Sequence, residues 1–327
     1  MKFRKDILKI IDPEKETEKL SDFIRQQAFS MRREGAVVGL SGGVDSAVSA
    51  ELCVRALGKD KVLGLILPEK ESNPISKPFA LEQVRKMGIK YETIDITPTL
   101  EVFGTYEKRE AILKEIFPGY DPQSRIKITL PADLLSRDAL NFFTLIIDDG
   151  SGHVKSVRLN KKALNGIVAA TNTKHRTRML HLYYQAEKLN YFVCGTTNRT
   201  EALQGFFVKY GDGGVDIEPL EHLYKMQVFQ LAGYLGVIEK IIKRIPSPDT
   251  FSFVVSDEEF YFRMPYNILD LLLWAWENNV QVEEAAKVMD LTIEQVKRAF
   301  RDFLAKHTAT RHLTRMPPSF FLDSRES

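Results

Sequence analysis

The stretch Gly39-Leu40-Ser41-Gly42-Gly43-Val44-Asp45-Ser46 holds residue types that can do chemistry, between a short apolar run and a helical pattern. Gly42 and Gly43 carry no Cβ, so the backbone can take positive φ and a bulky polyanion can approach it. N–H groups in such a turn, with the free donors of the helix that follows, cradle phosphate. Ser41 and Ser46 add hydroxyl donors. Asp45 would repel a phosphate unless a divalent cation intervened, so Mg²⁺ held partly by Asp45 and partly by phosphate oxygens is expected. No Gly-Lys-Ser/Thr ends the run, which excludes a Walker-type loop, and Gly-x-Gly-x-x-Gly is not matched either.

A second constellation is Cys194-Gly-Thr-Thr-Asn-Arg-Thr-Glu201, followed by Gly205 to Leu220. Gly195-Thr196 ends an apolar strand pattern, and Glu201 lies about one helical turn beyond it. A second carboxylate facing Asp45 is what a phosphate-bridging cation needs. Gly211, Gly213 and Gly214 make a loop that carries Lys209, Asp212 and Asp216. By itself that loop reads as a surface turn with solvated charges. Neither a Ser-His nor a Cys-His nucleophile pattern is present, and Cys53 and Cys194 sit in apolar segments with no metal-ligand spacing.

The elements that must position these groups alternate. Helical spacing over Glu16 to Arg32 is followed by a strand over Ala36 to Leu40 and a helix over Ser46 to Leu57 that stops at Gly58. Strand patterns over Lys61 to Leu67 and Ile89 to Ile96 enclose a helix over Pro78 to Met87 that closes at Gly88, and Thr97-Pro98 opens another helix. Tyr191 to Cys194 reads as a fourth strand, and Tyr224 to Leu235 as a helix ended by Gly236. Such alternation predicts a parallel sheet covered by helices on both faces, with ligands beyond the carboxyl ends of the strands. Residues 117 to 160 depart from it with β character, clearest as a hairpin of Phe142 to Ile147 and Val154 to Leu159 around Asp-Asp-Gly-Ser-Gly. After Pro246 the pattern is loop and then helix to about residue 306. The expected division is therefore 1–245 as an α/β domain with 117–160 inserted, and 246–327 as a covering loop, helices and basic tail.

Composition narrows the partners. Lys plus Arg number 46 against 44 Asp plus Glu, a net charge of +2, so neither a nucleic-acid coat nor a membrane-surface role is expected. No run approaches the ~20 apolar residues that span a bilayer, and the N-terminus shows no apolar core of a signal peptide, so a soluble protein is expected. The two cysteines, in apolar segments without metal-ligand spacing, point to a reducing cytoplasm. Val282 to Phe303 could pass for a helix-turn-helix, with Thr292 and Gln295 as a capping box. Its second helix starts with little base-reading polarity, and packing helices are the preferred reading. Leu271 to Trp276 likewise reads as core or subunit interface.

Ser-Gly-Gly-Val-Asp-Ser resembles the signature of the N-type ATP pyrophosphatases, which release pyrophosphate while adenylating a substrate. With the Gly-Thr…Glu and Phe-x-Lys-Tyr-Gly-Asp patterns, Pro68-Glu-Lys-Glu-Ser, Arg176-Thr-Arg178-Met179 and Lys225-Met-Gln-Val, the chain looks like the ammonia-dependent NAD synthetases over roughly residues 16 to 245. The resemblance implies a doubly wound α/β fold (adenine nucleotide alpha hydrolase-like), a homodimer, and ATP-dependent amidation of deamido-NAD by free ammonia. Carried over by position, Asp45, Glu201 and Lys225 would be catalytic, with Asp45 and Glu201 as the Mg²⁺ ligands. Ser41, Gly42, Gly43, Val44, Asp45, Ser46, Arg178, Thr196 and Lys225 would bind ATP, Lys225 by neutralising its phosphates. Arg176, Lys209, Asp212, Asp216 and His312 would meet the second substrate. The family's loop with Pro-Thr/Ser-Ala-x-Leu, which closes over the substrates, corresponds to residues 246–260; Asp257-Glu258 is kept and Ala-x-Leu is replaced. That change leaves two other readings open, a same-fold ligase amidating a different carboxylate and a non-catalytic nucleotide-binding homologue.

Overall fold

Gly-Ala-Val-Val-Gly at 35–39 is too short and too uniformly apolar for a surface helix, and it forms β1 (Gly35–Gly39) in the centre of the molecule. The computed structural model describes residues 2–131, 133–136, 142–152 and 154–320. Helix α1 (Pro13–Ser30) precedes β1, and α2 (Val44–Leu57) follows it; then come β2 (Val62–Ile66), α3 (Ser76–Met87) and β3 (Lys90–Thr93). Helices α4 (Thr97–Phe103) and α5 (Thr105–Ile116) lead into β4 (Arg125–Thr129), β5 (Thr144–Asp148) and β6 (Val154–Arg158). The long α6 (Lys161–Leu189) returns the chain to β7 (Tyr191–Cys194), α7 (Arg199–Gln204), α8 (Lys225–Leu235) and α9 (Glu239–Ile242). Helices α10 (Tyr266–Glu277), α11 (Val282–Met289) and α12 (Ile293–Thr310) complete the chain.

The first sheet is parallel, in the order β3-β2-β1-β7. Successive side chains of a strand point to opposite faces, and β1 uses both. Ala36 and Val38 join α1, α2 and α8 in one apolar cluster, while Val37 joins Leu100, Tyr106 and Ala186 in another. The sheet is thus covered on both sides, as the alternation predicts. β2 and β3 lie on one side of β1 and β7 on the other, so the winding reverses between β1 and β7. Their carboxyl ends, at Gly39 and Cys194, flank the switch point where such sheets bind ligands. Helices α2, α3 and α8 end at Gly58, Gly88 and Gly236, all with positive φ. β3 is shorter than the sequence pattern, and its side chains are exposed because it is the sheet's edge.

Residues 117–160 form more than a hairpin. β4, β5 and β6 make a three-stranded antiparallel sheet in which Arg125 to Thr129 supply the additional strand. Ile126, Ile128, Leu145 and Ile147 point inward onto Leu113 of α5, Ala163 and Ile167 of α6, and Phe251 and Val255. Residues 132, 137–141 and 153 of this insertion and 321–327 of the tail lie outside the described residues. α10, α11 and α12 bury Leu269, Leu272, Leu273, Ala285, Val296 and Phe303 in one core, and the Thr292–Gln295 capping box is formed.

Candidate active site

The turn after β1 is built as a strand-to-helix elbow. Gly42 has φ +74°, and a Cβ there would lie 2.3 Å from the Ser76 carbonyl oxygen, so both conformation and crowding demand glycine. Gly43 caps α2 without a side-chain acceptor, leaving the first-turn amides of a 14-residue helix for a ligand. Ser41 Oγ accepts from the Gly43 N–H at 3.2 Å, and Ser46 Oγ donates to the Gly43 carbonyl at 3.1 Å. The elbow is therefore preshaped by its own hydroxyls.

Asp45, in the first turn of α2, faces groups from the other half of the sheet. Lys225, at the start of α8, is 3% exposed at its side chain and places Nζ 2.6 Å from Asp45 Oδ2 and 3.3 Å from Glu201 Oε1. Asn198 is fully buried and connects the same groups. Its Nδ2 donates to Asp45 Oδ1 at 2.9 Å, and its Oδ1 accepts from the Glu201 N–H at 3.1 Å. Glu201 Oε2 accepts from the Asn198 N–H at 3.2 Å, which completes a capping box on α7. Beneath them the buried Asp270 of α10 accepts from Thr200 Oγ1 at 2.6 Å and from the Met226 N–H at 2.7 Å, and so locks the starts of α7 and α8 together.

Electrostatically this is an acidic site in which the Lys225 ammonium lies against the carboxylates, while the Arg244 guanidinium, which donates to the Gly42 carbonyl at 3.1 Å, acts on Asp257 from the elbow side. Burial raises the Glu201 carboxyl to about 8, against Lys225, while Asp45 and Asp257 push it further up. Asp257, also buried, is raised to about 6; burial is again the first cause, opposed by Lys225 and by the Tyr266 hydroxyl that donates to it at 2.9 Å. Burial lifts Asp270 to about 7. The Lys225 ammonium is held in its charged form by Asp45 and Glu201, which overcome its burial. Asp257 Oδ1 is buried with no hydrogen-bond partner. Three carboxylates around one ammonium, with an orphan oxygen among them, have spare capacity for a second cation. Among the described residues no three His, Cys, Asp or Glu side chains converge as a ready cage, so ligand oxygens would have to complete any coordination.

Asp45, Glu201, Lys225 and Asp257 line a cleft of about 630 Å³ that runs from the elbow along α6 to the inserted sheet and the tail. A family model described as NAD synthase matches residues 16–131 and 137–313. The NH(3)-dependent NAD(+) synthetase of Rhizobium meliloti is 43% identical over 311 residues, 95% of this chain and 92% of that protein. This chain belongs to the NAD synthase family. Its relative in Thermotoga maritima, of the same name, is 40% identical over 283 residues, 84% of this chain and 94% of the other. Among solved structures, the NMN synthetase of Francisella tularensis superimposes with TM-score 0.66 at 25% identity, covering 95% of this chain and 99% of that one. The NH3-dependent NAD synthetase of Campylobacter jejuni, at 24% identity and TM-score 0.63, shares the fold over 95% and 99%.

In this family member, Ser41, Gly43, Val44, Asp45, Ser46, Thr196, Glu201 and Lys225 are brought to one end of the cleft, and Arg176, Arg178, Lys209 and Asp212 also line it. Arg178 Nε donates to the Leu67 carbonyl at 3.1 Å. Gly42 shapes the elbow without lining the cleft, and neither Asp216 nor His312 lines it. Asp216 instead accepts from the Val193 N–H at 2.8 Å and from the Tyr183 hydroxyl at 3.1 Å, fixing the end of the loop to β7. The His312 ring is exposed, while its carbonyl accepts from Lys209 Nζ at 3.1 Å. Lys225, expected to face phosphates, sits between Asp45 and Glu201, the position the sequence reading gives to a metal. Asn198 and Asp257 were not among the expected site residues. The spacing Asn198-x-x-Glu201 is a capping-box signal that could have found the first. For Asp270, 70 residues from Thr200, no local signal exists.

Proposed function

We propose that this chain amidates deamido-NAD with free ammonia, consuming ATP and releasing AMP and pyrophosphate. The observation that carries the reading is the meeting, at one sheet switch point, of an uncapped helix start with Asp45, Asn198, Glu201 and Lys225. A carboxylate resists ammonia because its oxygen is a poor leaving group. In the proposed sequence that oxygen attacks the α-phosphorus of ATP and pyrophosphate departs. Ammonia then attacks the acyl carbon, AMP leaves with the former carboxylate oxygen, and a proton is lost. No protein nucleophile is needed. Catalysis rests on orientation and on neutralising charge as it develops.

The roles divide along the cleft. Amides of the Gly42–Ser46 elbow and the Ser41 and Ser46 hydroxyls would hold phosphate oxygens, with Thr196 and Arg178 beside them. Asp45 and Glu201 would hold Mg²⁺, which supplies charge neutralisation at the departing pyrophosphate. Lys225 carries a second positive charge to the same place, and Asn198 keeps both carboxylates aimed. Arg176, Lys209 and Asp212 line the part of the cleft left for the acceptor. A homodimer is supported by outward apolar residues on α6, Leu180 at 61% and Tyr184 at 63% exposure. No helix of the described residues is long and apolar enough to cross a membrane, and Cys53 and Cys194 are free, buried thiols, which fits a reducing cytoplasm.

The test is to incubate the protein with ATP, Mg²⁺, ammonium and deamido-NAD and to follow AMP, pyrophosphate and NAD, with Asp45→Ala as the inactive control. Equal yields of all three are expected. Pyrophosphate without NAD would refute deamido-NAD as acceptor. The Francisella tularensis neighbour, an NMN synthetase, motivates a parallel arm with the mononucleotide acid that amidation would turn into NMN. Faster turnover in that arm would reassign the acceptor.

A further inference from the structure

The inserted sheet plays no part in the chemistry above, yet one of its edges is occupied by the segment that walls the cleft. The Ile126 N–H donates to Ser252 Oγ at 3.0 Å, the Ile126 carbonyl accepts from the Phe253 N–H at 2.9 Å, and the Leu130 N–H donates to the Glu259 carbonyl at 3.0 Å. Residues 252–259 thus cover the outer edge of β4, which would otherwise present unpaired backbone groups. Phe251 and Val255 are buried with Ile126, Ile128 and Ile147. At its other end the segment is tied to the loop after β2. Asp249 accepts from the Asn73 N–H and from Ser76 Oγ, both at 2.7 Å.

Between these two anchors lies Lys174 of α6, whose side chain is 0% exposed. Its ammonium donates to the Thr250 carbonyl at 3.0 Å, to Glu69 Oε1 at 2.8 Å and to Glu71 Oε2 at 2.7 Å. Arg109 braces Glu71 from α5, and the Tyr106 hydroxyl donates to Glu69 Oε2 at 2.7 Å. Burying an ammonium and two carboxylates is costly, and apolar side chains in place of the whole cluster would serve packing as well. What an apolar residue could not supply is the donor to Thr250. Pro246, Thr250, Phe251 and Phe260 line the cleft on either side of this bond.

We infer that Lys174 is a positioning residue: braced by Glu69 and Glu71, it pins the Thr250 carbonyl so that residues 246–260, clamped along β4, wall the cleft before any substrate arrives. The inference rests on the ligase reading for its kinetic consequence only; its structural consequence stands apart from it. In the ligand-free protein the Phe253 amide is protected from hydrogen exchange by its bond to Ile126. Lys174→Met removes the pin at nearly constant volume, and Lys174→Arg restores a donor.

Hydrogen exchange of the ligand-free protein is the first measurement, and steady-state kinetics with deamido-NAD and ATP the second. In wild type the Phe253 amide should be slow without ligand, in Lys174→Met fast, and in Lys174→Arg slow again. If the docked population falls to about a tenth, apparent affinity for the acceptor falls about tenfold, read as a raised KM with kcat little changed. Should Lys174→Met fail to fold, Ser252→Ala loosens the β4 clamp without stranding a buried charge, and the same direction of change at Phe253 is expected. Free exchange of the Phe253 amide in wild type until ATP and acceptor are added would overturn the inference. So would a Lys174→Met protein that unfolds more readily but keeps wild-type KM and wild-type protection at Phe253. Wild-type protection with no turnover of either acceptor would leave the pin standing and remove the ligase reading instead.

Discussion

Replacing Asn198 by Asp tests the electrostatics of the site with little change of shape. Asp is as good a helix cap as Asn, so the bond from the Glu201 N–H survives and α7 keeps its start. The Nδ2 donor is lost, and a fourth carboxylate arrives within hydrogen-bond distance of Asp45 Oδ1, where the structure has 2.9 Å. Two like charges about 4 Å apart at an effective dielectric near 20 repel by about 4 kcal/mol. Lys225, already shared by Asp45 and Glu201, offsets part of this. If about 2 kcal/mol of it is felt in the transition state, kcat/KM for amidation falls about 30-fold. Asn198→Ala makes the complementary change. It adds no charge, but it removes the cap, at about 1 kcal/mol of stability, and the donor to Asp45. The assay is initial-rate pyrophosphate release for both variants, with thermal unfolding alongside. The expected pattern is a large loss of rate with a small loss of stability for Asp, and losses in both for Ala. Wild-type kcat/KM in a folded Asn198→Asp protein would refute the assignment of Asn198 as the residue that aims Asp45.

Three further outcomes follow from the same geometry. Glu201 carries a carboxyl raised to about 8 from an ordinary 4.5, burial being the first cause and Lys225 opposing it, so it takes up a proton at a higher pH than a free carboxyl does. A group raised in the folded state contributes stability that is complete below its unfolded pKa and is lost as pH rises through the folded one. Unfolding scans of the ligand-free protein should therefore show this contribution fading between about pH 4.5 and 8. Binding of Mg²⁺ with ATP should expel the proton near pH 7 and release none above pH 9, measured by calorimetry in buffers of different ionisation enthalpy; equal heats in all buffers at pH 7 would contradict it. Gly42→Ala places a methyl 2.3 Å from the Ser76 carbonyl at φ +74°. It should lower stability by about 1–3 kcal/mol and abolish ATP-dependent turnover, and a fully active, equally stable variant would show that the elbow is not constrained as described.

Much of this protein could be read from local sequence. Gly-Ala-Val-Val-Gly, the apolar run at 191–194, and Gly58, Gly88 and Gly236 mark strands and helix ends because each depends on neighbours within about four residues. The elbow is local in the same sense: a β-strand, two glycines and an acidic first turn specify a phosphate-binding helix start, and Asp45, Glu201 and Lys225 could be named from their motifs. The extra strand at 125–129 was less legible, since an antiparallel sheet of short strands is settled by pairing across the sheet.

Tertiary structure alone decided what these residues face. Lys225 lies 180 residues from Asp45, and only the placing of β7 beside β1, with α8 packed on α2, brings its ammonium between two carboxylates. Asp270 and the pin at Lys174 were invisible for the same reason, and Asp257 could be placed in the covering loop but not against Tyr266: each acquires its meaning from a partner 9 to 105 residues away, on another element. Sequence spacing fixes which face of a helix or strand a side chain occupies. Which face it then meets is set by the order of strands and the burial of apolar surface over the whole chain. That is why Asp45, Glu201 and Lys225 could each be singled out from local motifs, while the placing of the Lys225 ammonium between the two carboxylates could not.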